Sequence, residues 1–312
     1  MKSDIKYSFV VPAYNEEENI PALYQRIVEL LEKRAETWEL IFINDGSTDH
    51  TYETIHQLSE KDKKVKCIDL SRNFGHQAAL TAGLNYAKGD VIISMDCDLQ
   101  DPPEVIDQMI KKHEEGFHIV YARRENYRKD NFIKKIGSKI YYKLNSRFSG
   151  IKIPKNVGDF RLIDKAVLRE LNQMPEHSRY LRGMVAWTGF KHAFVDYKRP
   201  DREKGESGYS LGKLAKLGMD GVFNFSMLPL RIGFLLGFIS IISGFGLLLY
   251  QIIDVAVNGV YYHLYKWLVV VLFIFMGFMF MLLWVIGEYI GKIYDDVRNR
   301  PLYVVKETTN IE

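Results

Sequence analysis

Cysteine is nearly absent from this chain, which carries only Cys67 and Cys97 in 312 residues. Two such residues make neither a disulfide framework nor a zinc pattern, and they agree with a reducing compartment. No G-x-G-x-x-G follows the first strand-like segment, so dinucleotide binding in the oxidoreductase manner lacks its signature, and neither a P-loop nor an H-E-x-x-H occurs. The formal net charge of +3 is too small an excess to argue for nucleic acid. An apolar signal segment is also lacking: the chain passes from Met1-Lys2-Ser3-Asp4 straight into a strand, so the large domain is expected not to be exported.

Long uncharged runs are missing until the C-terminal third. The overall balance, 47% hydrophobic and 26% charged, is ordinary for a folded protein. It hides two nearly charge-free stretches, Ile232 to Ile253 and Trp267 to Ile286, each of about the 20 residues that a membrane-spanning helix needs. A buried helical hairpin would seldom carry Phe, Leu and Met on every face over this length. The expected organisation is a large domain over residues 1–210, a juxtamembrane interfacial helix over 211–230, two transmembrane helices over 231–290 and a cytoplasmic tail over 291–312. Arg231 precedes the first span, and Lys292, Arg298 and Arg300 follow the second. The loop from Asn258 to Lys266 carries one lysine, so the positive-inside rule puts both termini in the cytoplasm. Tyr261, Tyr262, Tyr265 and Trp267 would form the outer aromatic belt.

Ahead of the spans, strand-like and helix-like segments alternate. Strands are expected at Tyr7 to Val11, Glu39 to Ile43, Val65 to Leu70 and Asp90 to Met95, with helices at Glu16 to Lys33, Asp49 to Lys61 and Gly75 to Ala87. This pattern predicts an α/β fold with a doubly wound parallel sheet. Local chemistry assigns several polar residues to caps: Asn15 before the Glu16 to Glu18 cluster, Ser47 to Asp49 before the second helix, and Asp101 before a helix opening at Pro102. From Asn131 to Phe148, Lys135, Lys139, Lys143 and Arg147 recur at i+4 beside Ile136, Ile140, Leu144 and Phe148. That amphipathic basic helix, and a second over Leu211 to Leu228, suit a membrane surface.

The most telling stretch is Met95-Asp96-Cys97-Asp98-Leu99-Gln100-Asp101-Pro102-Pro103, where two carboxylates at i and i+2 follow the apolar run from Val91. Ligands of open α/β sheets bind beyond the carboxyl ends of strands, and the two hard carboxylate donors Asp96 and Asp98 plus the amide of Gln100 suit Mg²⁺ or Mn²⁺ with a diphosphate as cargo. Two other strands end in polar groups, Pro12-Ala13-Tyr14-Asn15-Glu16 and Asn44-Asp45-Gly46-Ser47, so three strand ends should converge on one crevice. His76, His113, His118 and His177 share no spacing or partner, and no histidine is expected to act.

With these motifs in this order, and with Gly287-Glu288-Tyr289-Ile290-Gly291-Lys292 closing the second span, the chain resembles the family 2 glycosyltransferases. Within them it is similar to the polyisoprenyl-phosphate glycosyltransferases, relatives of dolichyl-phosphate mannose synthase and bactoprenol glucosyltransferase. The resemblance implies a GT-A fold binding a nucleotide sugar, with Pro12, Tyr14, Glu16 and Asp45 around the nucleoside. It puts Asp96 on ribose or sugar and Asp98 with Gln100 on the metal, while Cys97, between the two acids, reads most simply as a small neighbour of that metal whose side chain does no chemistry. It further implies Asp159 near the reacting centre, Arg202 and Lys204 on a loop closing over phosphates, and Arg123, Arg124 and Arg128 toward the acceptor phosphate.

The implied reaction is inverting transfer of one sugar from a UDP-sugar, glucose or N-acetylglucosamine first, to undecaprenyl phosphate at the inner leaflet, for cell-envelope glycosylation. Partners are then the nucleotide sugar, the lipid phosphate and the bilayer, with self-association left open. A processive polysaccharide synthase would resemble its family in a Q-x-x-R-W motif and more spans, neither of which is visible. A catalytically silent membrane scaffold is disfavoured by the joint presence of Asp96, Asp98, Gln100, Asp159 and Arg202.

Overall fold

The computed structural model describes residues 5–32, 34–125, 154, 156–176, 179–198 and 264–311, with scattered helical positions between 238 and 258. Strand and helix alternate from the start: β1 (Tyr7–Ala13), α1 (Ile20–Leu31), β2 (Trp38–Asn44), α2 (Thr51–Lys61), β3 (Val65–Leu70), α3 (His76–Tyr86) and β4 (Val91–Ser94). A short 3₁₀ turn (Pro103–Val105) leads to α4 (Ile106–Glu114) and β5 (Ile119–Arg124). Then come β6 (Val157–Asp164), α5 (Lys165–Gln173), α6 (Leu181–Trp187), β7 (His192–Tyr197), α7 (Leu264–Arg298) and β8 (Val305–Thr309).

The eight strands form one sheet in the order β7-β5-β6-β4-β1-β2-β3-β8. Strands β1 to β4 are buried along their whole length, as expected of parallel strands covered on both faces. On one face, Ile20, Leu23, Ile27 and Leu31 of α1 fall on a single stripe and pack with α2 and α4 against Phe9, Leu40 and Phe42. On the other, α3, α5 and α6 cover Val10, Ile41, Ile68 and Ile92. Each such fully buried aliphatic side chain contributes roughly 1.5–3 kcal/mol.

The sheet is mixed rather than wholly parallel. Strand β6 runs antiparallel to both β4 and β5, and β8 runs antiparallel to β3. The sequence alternation stops being regular after β4, and nothing in a buried apolar run records its direction. Residues 291–312, expected as a tail, contain β8, which closes the β3 edge of the sheet. The 24-residue segment Phe275–Arg298 of α7 is long and apolar enough to cross a membrane, and Met279, Phe280, Leu283 and Trp284 are exposed on it. Most of the first expected span, both amphipathic basic helices, and Arg128, Arg202 and Lys204 lie outside the described residues.

Two of the expected caps are corrected. Asn19 precedes α1, while Asn15 sits at φ 56° and its side-chain oxygen accepts from the Thr48 amide. Asp101 caps nothing: it is fully buried and accepts from the Tyr197 hydroxyl at 2.7 Å. In both cases contact with a residue distant in sequence outweighs the local turn that composition suggests.

Helix α3 approaches the sheet closely because Gly83 has no side chain. A Cβ there would lie 2.3 Å from Cγ1 of Val10 and 2.5 Å from Cδ1 of Ile43. Gly83→Ala is expected to cost about 1–3 kcal/mol through overpacking, read as a lower midpoint of thermal or denaturant unfolding. An unchanged midpoint would contradict this packing of α3.

Candidate active site

The parallel strands β3, β2, β1 and β4 lie in that order, so the chain reverses its direction of winding between β1 and β4. The crevice at such a switch point, beyond the carboxyl ends of the strands, is where open α/β sheets bind ligands. The three polar strand ends meet there. Ser47 Oγ accepts from the Asn15 amide at 3.0 Å, and Asp49 accepts from the Glu17 amide at 3.3 Å, which joins the loops after β1 and β2. Tyr14, with 47% of its surface exposed, faces solvent beside them.

Asp45 serves the next loop over. Its two carboxylate oxygens accept from the amides of Phe74 (2.8 Å) and Gly75 (2.9 Å). Burial raises its pKa and these two amides oppose that rise. At Gly46, φ is +64° and a Cβ would stand 2.3 Å from the Arg72 carbonyl carbon, so the loops after β2 and β3 are in direct contact.

After β4 the chain turns sharply at Leu99, φ 57°, and Asp98 Oδ1 accepts from the Gln100 amide at 3.2 Å. Cys97 and Gln100 are buried. Beneath this turn, Asp101 is held by Tyr197, whose hydroxyl also accepts from Arg124 Nε at 3.1 Å. Burial and the neighbouring Asp96 charge push the Asp101 carboxyl up to about 7. Arg123 forks onto Asp196 at 2.6 and 2.8 Å. Both arginines thus already hold partners on β7 or beside it.

Asp159 reaches the site because β6 is antiparallel. Ser94, the last residue of β4, pairs with Arg161, so the beginning of β6 lies at the carboxyl end of β4. There the buried Asp159 carboxylate meets Arg161 Nη2 at 2.6 Å, Arg182 Nη2 at 3.2 Å, His76 Nε2 at 3.3 Å and Gln77 Nε2 at 3.4 Å. Burial alone would raise its pKa, but the Arg182 charge, the His76 hydrogen bond and Arg161 hold it well below the usual carboxylate range. His76 also lies 3.6 Å from Asp96 Oδ1, an oxygen with no hydrogen-bond partner among the described residues. Burial disfavours the charged imidazole, yet the bond to Asp159 and the charges of Asp96 and Asp159 push it up to about 9.

A histidine therefore stands at the centre of the site, contrary to the sequence expectation. His76 and Asp159 are 83 positions apart, which no spacing rule spans. Arg161, Arg182 and Gln77 were also missed, although Arg161 lies in the same Gly158-Asp159-Phe160-Arg161 segment as Asp159. Among the described residues no three His, Cys, Asp or Glu side chains converge as a metal cage. The oxygen donors near this turn are Asp98, Gln100 and Asp96, few and hard, which suits a cation that takes the rest of its shell from phosphate and water.

The profile of the glycosyl transferase family 2 matches residues 8–171. The uncharacterized glycosyltransferase YkcC of Bacillus subtilis (strain 168) is 43% identical over 100% of this chain and 97% of its own length. The SfII prophage-derived bactoprenol glucosyl transferase of Shigella flexneri is 39% identical over 97% of this chain and 98% of its own. Among solved structures, mannosyl-3-phosphoglycerate synthase from Rubrobacter xylanophilus superposes with a TM-score of 0.49 at 17% identity, over 69% of this chain and 71% of that one.

The His76 ring is expected to titrate near 9 in an NMR pH series and to fall toward the ordinary 6.5 in Asp159→Asn. Because the fold favours the charged form, the stability it adds is complete below about 6.5 and is lost as pH rises through about 9. A midpoint below 7 would contradict an imidazolium at this position.

Proposed function

The chain belongs to glycosyl transferase family 2, and from that premise we propose that it moves one sugar from a UDP-sugar to undecaprenyl phosphate, with inversion, at the cytoplasmic face of the membrane. The observation that carries this reading is the direct run of α7, with its membrane-length apolar segment, into β8 of the sheet that bears the crevice. A nucleotide-sugar site built onto a bilayer anchor suits an acceptor that lies in the bilayer. The names of the bactoprenol glucosyl transferases among its relatives support the same acceptor.

In this reading the GT-A crevice takes the nucleoside at Pro12, Tyr14, Glu16 and Asp45, and Asp96 with Cys97 borders the sugar. Asp98 and Gln100 would hold Mg²⁺ or Mn²⁺, which supplies positive charge to the diphosphate as it departs. Arg202 and Lys204 would add positive charge toward the phosphates, and Arg128 toward the acceptor, all three outside the described residues. An acceptor oxygen attacks the anomeric carbon, the bond to the diphosphate breaks, and its electron pair leaves on the β-phosphate oxygen. A phosphate monoester has a second pKa of about 6 and needs no base to become a nucleophile near neutral pH. Asp159, paired and held well below the usual carboxylate range, suits orientation rather than proton abstraction.

Strand β8 also supports two crossings. It pairs with β3, so the chain lies on one side of the bilayer both before and after its spans, and a single crossing at α7 would leave β8 across the membrane from its partner. The stretch Ile232 to Ile253 supplies the second crossing.

Purified protein in lipid, given undecaprenyl phosphate, a panel of nucleotide sugars and Mg²⁺ or Mn²⁺, is expected to yield a lipid-phosphate-linked sugar detectable by mass spectrometry. The product should disappear with chelator and in Asp98→Ala while the fold persists by circular dichroism. Turnover undiminished in excess chelator would sink the metal assignment, and a panel that gives no lipid product would sink the acceptor.

A cysteine placed at Asn258 is expected to react in intact cells with membrane-impermeant reagents, since it would lie outside. Labelling by permeant reagents alone would invert the topology.

A further inference from the structure

We propose that Tyr197 is a positioning residue for the cation of this reaction: its hydroxyl, through Asp101, fixes the turn that carries Asp98 and Gln100. The inference rests on the transferase reading above and adds to it a residue from the far edge of the sheet. Asp101 closes the turn on itself, because one of its carboxylate oxygens accepts from the Asp96 amide at 3.4 Å. The other accepts from the Tyr197 hydroxyl at 2.7 Å. Asp98 and Gln100 lie on the chain between the two ends of this closed loop, so whatever holds Asp101 also limits where they point.

The turn needs such a hold. Leu99 stands at φ 57°, a left-handed conformation that a leucine keeps only where its surroundings impose it. Inside the turn, the bond from the Gln100 amide to Asp98 is long, 3.2 Å, and partly open to solvent, whereas Asp101 is fully buried and Tyr197 is 5% exposed. The firm contact is therefore the one beneath.

Tyr197 is itself well fixed. It is the last residue of β7, pairs with Arg124 of β5, and its carbonyl accepts from the Glu125 amide at 2.9 Å. Its ring meets Phe160 of β6 edge-on with centroids 5.8 Å apart, and Arg124 Nε donates to the hydroxyl at 3.1 Å. Gly158 leaves room for that guanidinium, since a Cβ there would stand 3.1 Å from Nη2. Strands β5 and β6 separate β7 from β4, so the phenol reaches the turn across two strands. A phenylalanine would fill the same apolar space, and the hydroxyl is what packing alone does not require.

The test uses the full chain in lipid and Mn²⁺ as the probe, its binding in the presence of UDP followed by electron paramagnetic resonance. Tyr197→Phe is expected to raise the Kd for Mn²⁺ by about tenfold, the size of one lost buried hydrogen bond. Affinity for UDP in excess chelator should stay within about twofold. In turnover, the half-activating Mn²⁺ concentration should rise with the Kd while kcat recovers at saturating Mn²⁺. Gly83→Ala, which strains the core away from this turn, serves as the control for lost stability and should leave the Mn²⁺ Kd unchanged. An unchanged Mn²⁺ Kd in Tyr197→Phe, an equal rise in Gly83→Ala, or a matching loss of metal-free UDP affinity would overturn the role of Tyr197. Should Tyr197→Phe fail to fold, 3-fluorotyrosine at position 197 keeps the hydroxyl and still decides. If the bond to Asp101 tightens the cation, the cation must tighten the bond, so Mg²⁺ added with UDP should shift the fluorine resonance, whereas UDP with chelator should not. No shift with Mg²⁺, or an equal shift without it, overturns the assignment. A wild type that binds Mn²⁺ no more tightly with UDP than without it refutes the metal assignment of the transferase reading itself, whereas tight wild-type binding matched by Tyr197→Phe refutes only the role of Tyr197.

Discussion

A carboxylate removed from water must be paired, and the Asp159 carboxylate is the point on which this site is organised. Leaving such a group buried and unpaired costs several kcal/mol, so the fold must bring cations to it. They come from three elements: Arg161 from β6 itself, His76 from α3 and Arg182 from α6. The same carboxylate therefore fixes how two helices stand at the mouth of the crevice. It also helps raise the His76 pKa, since the bond to Asp159 and the charges of Asp96 and Asp159 outweigh the burial that would lower it.

That arrangement depends on strand direction. Had β6 continued the parallel pattern, its first residues would lie at the opposite edge of the sheet, away from Asp96. Running antiparallel beside β4, it delivers Asp159 to the carboxyl end, and Ser94 Oγ donates to the Asp159 carbonyl at 2.6 Å to fix the junction. Two acids 63 positions apart thus come to share one histidine.

Much of the scaffold was legible from residues alone. Strands β1 to β4 announce themselves as continuous apolar runs because both faces are covered, and their polar ends mark the crevice. Direction and partnership were not legible. The periodicity of β6 is the same whichever way it runs, and β8, reading Val305-Lys306-Glu307-Thr308-Thr309, has too little apolar character to stand out from a tail. His76 looked isolated because its partners lie just beyond β4 and on β6, and the cap assignments failed at Asn15 and Asp101 because each side chain bonds a residue distant in sequence.

Strand β8 gives α7 a physical connection to the loops that border the crevice. Lys306 Nζ lies 3.0 Å from Asp69 Oδ2, and Asp69 Oδ1 accepts from Asn44 Nδ2 at 2.7 Å. Asn44 in turn accepts from the Ser47 amide at 3.2 Å, and Ser47 receives the Asn15 amide. Asp69 and Asn44 are buried, so their bond is not exchanged for water at little cost, whereas Lys306 at the exposed edge is held only weakly. The chain of contacts is thus firm where it shapes the loops after β1 and β2, and soft where it meets β8 and the long apolar helix before it. A connection of that kind joins α7 to the sheet without passing every movement of the helix on to the loops after β1 and β2.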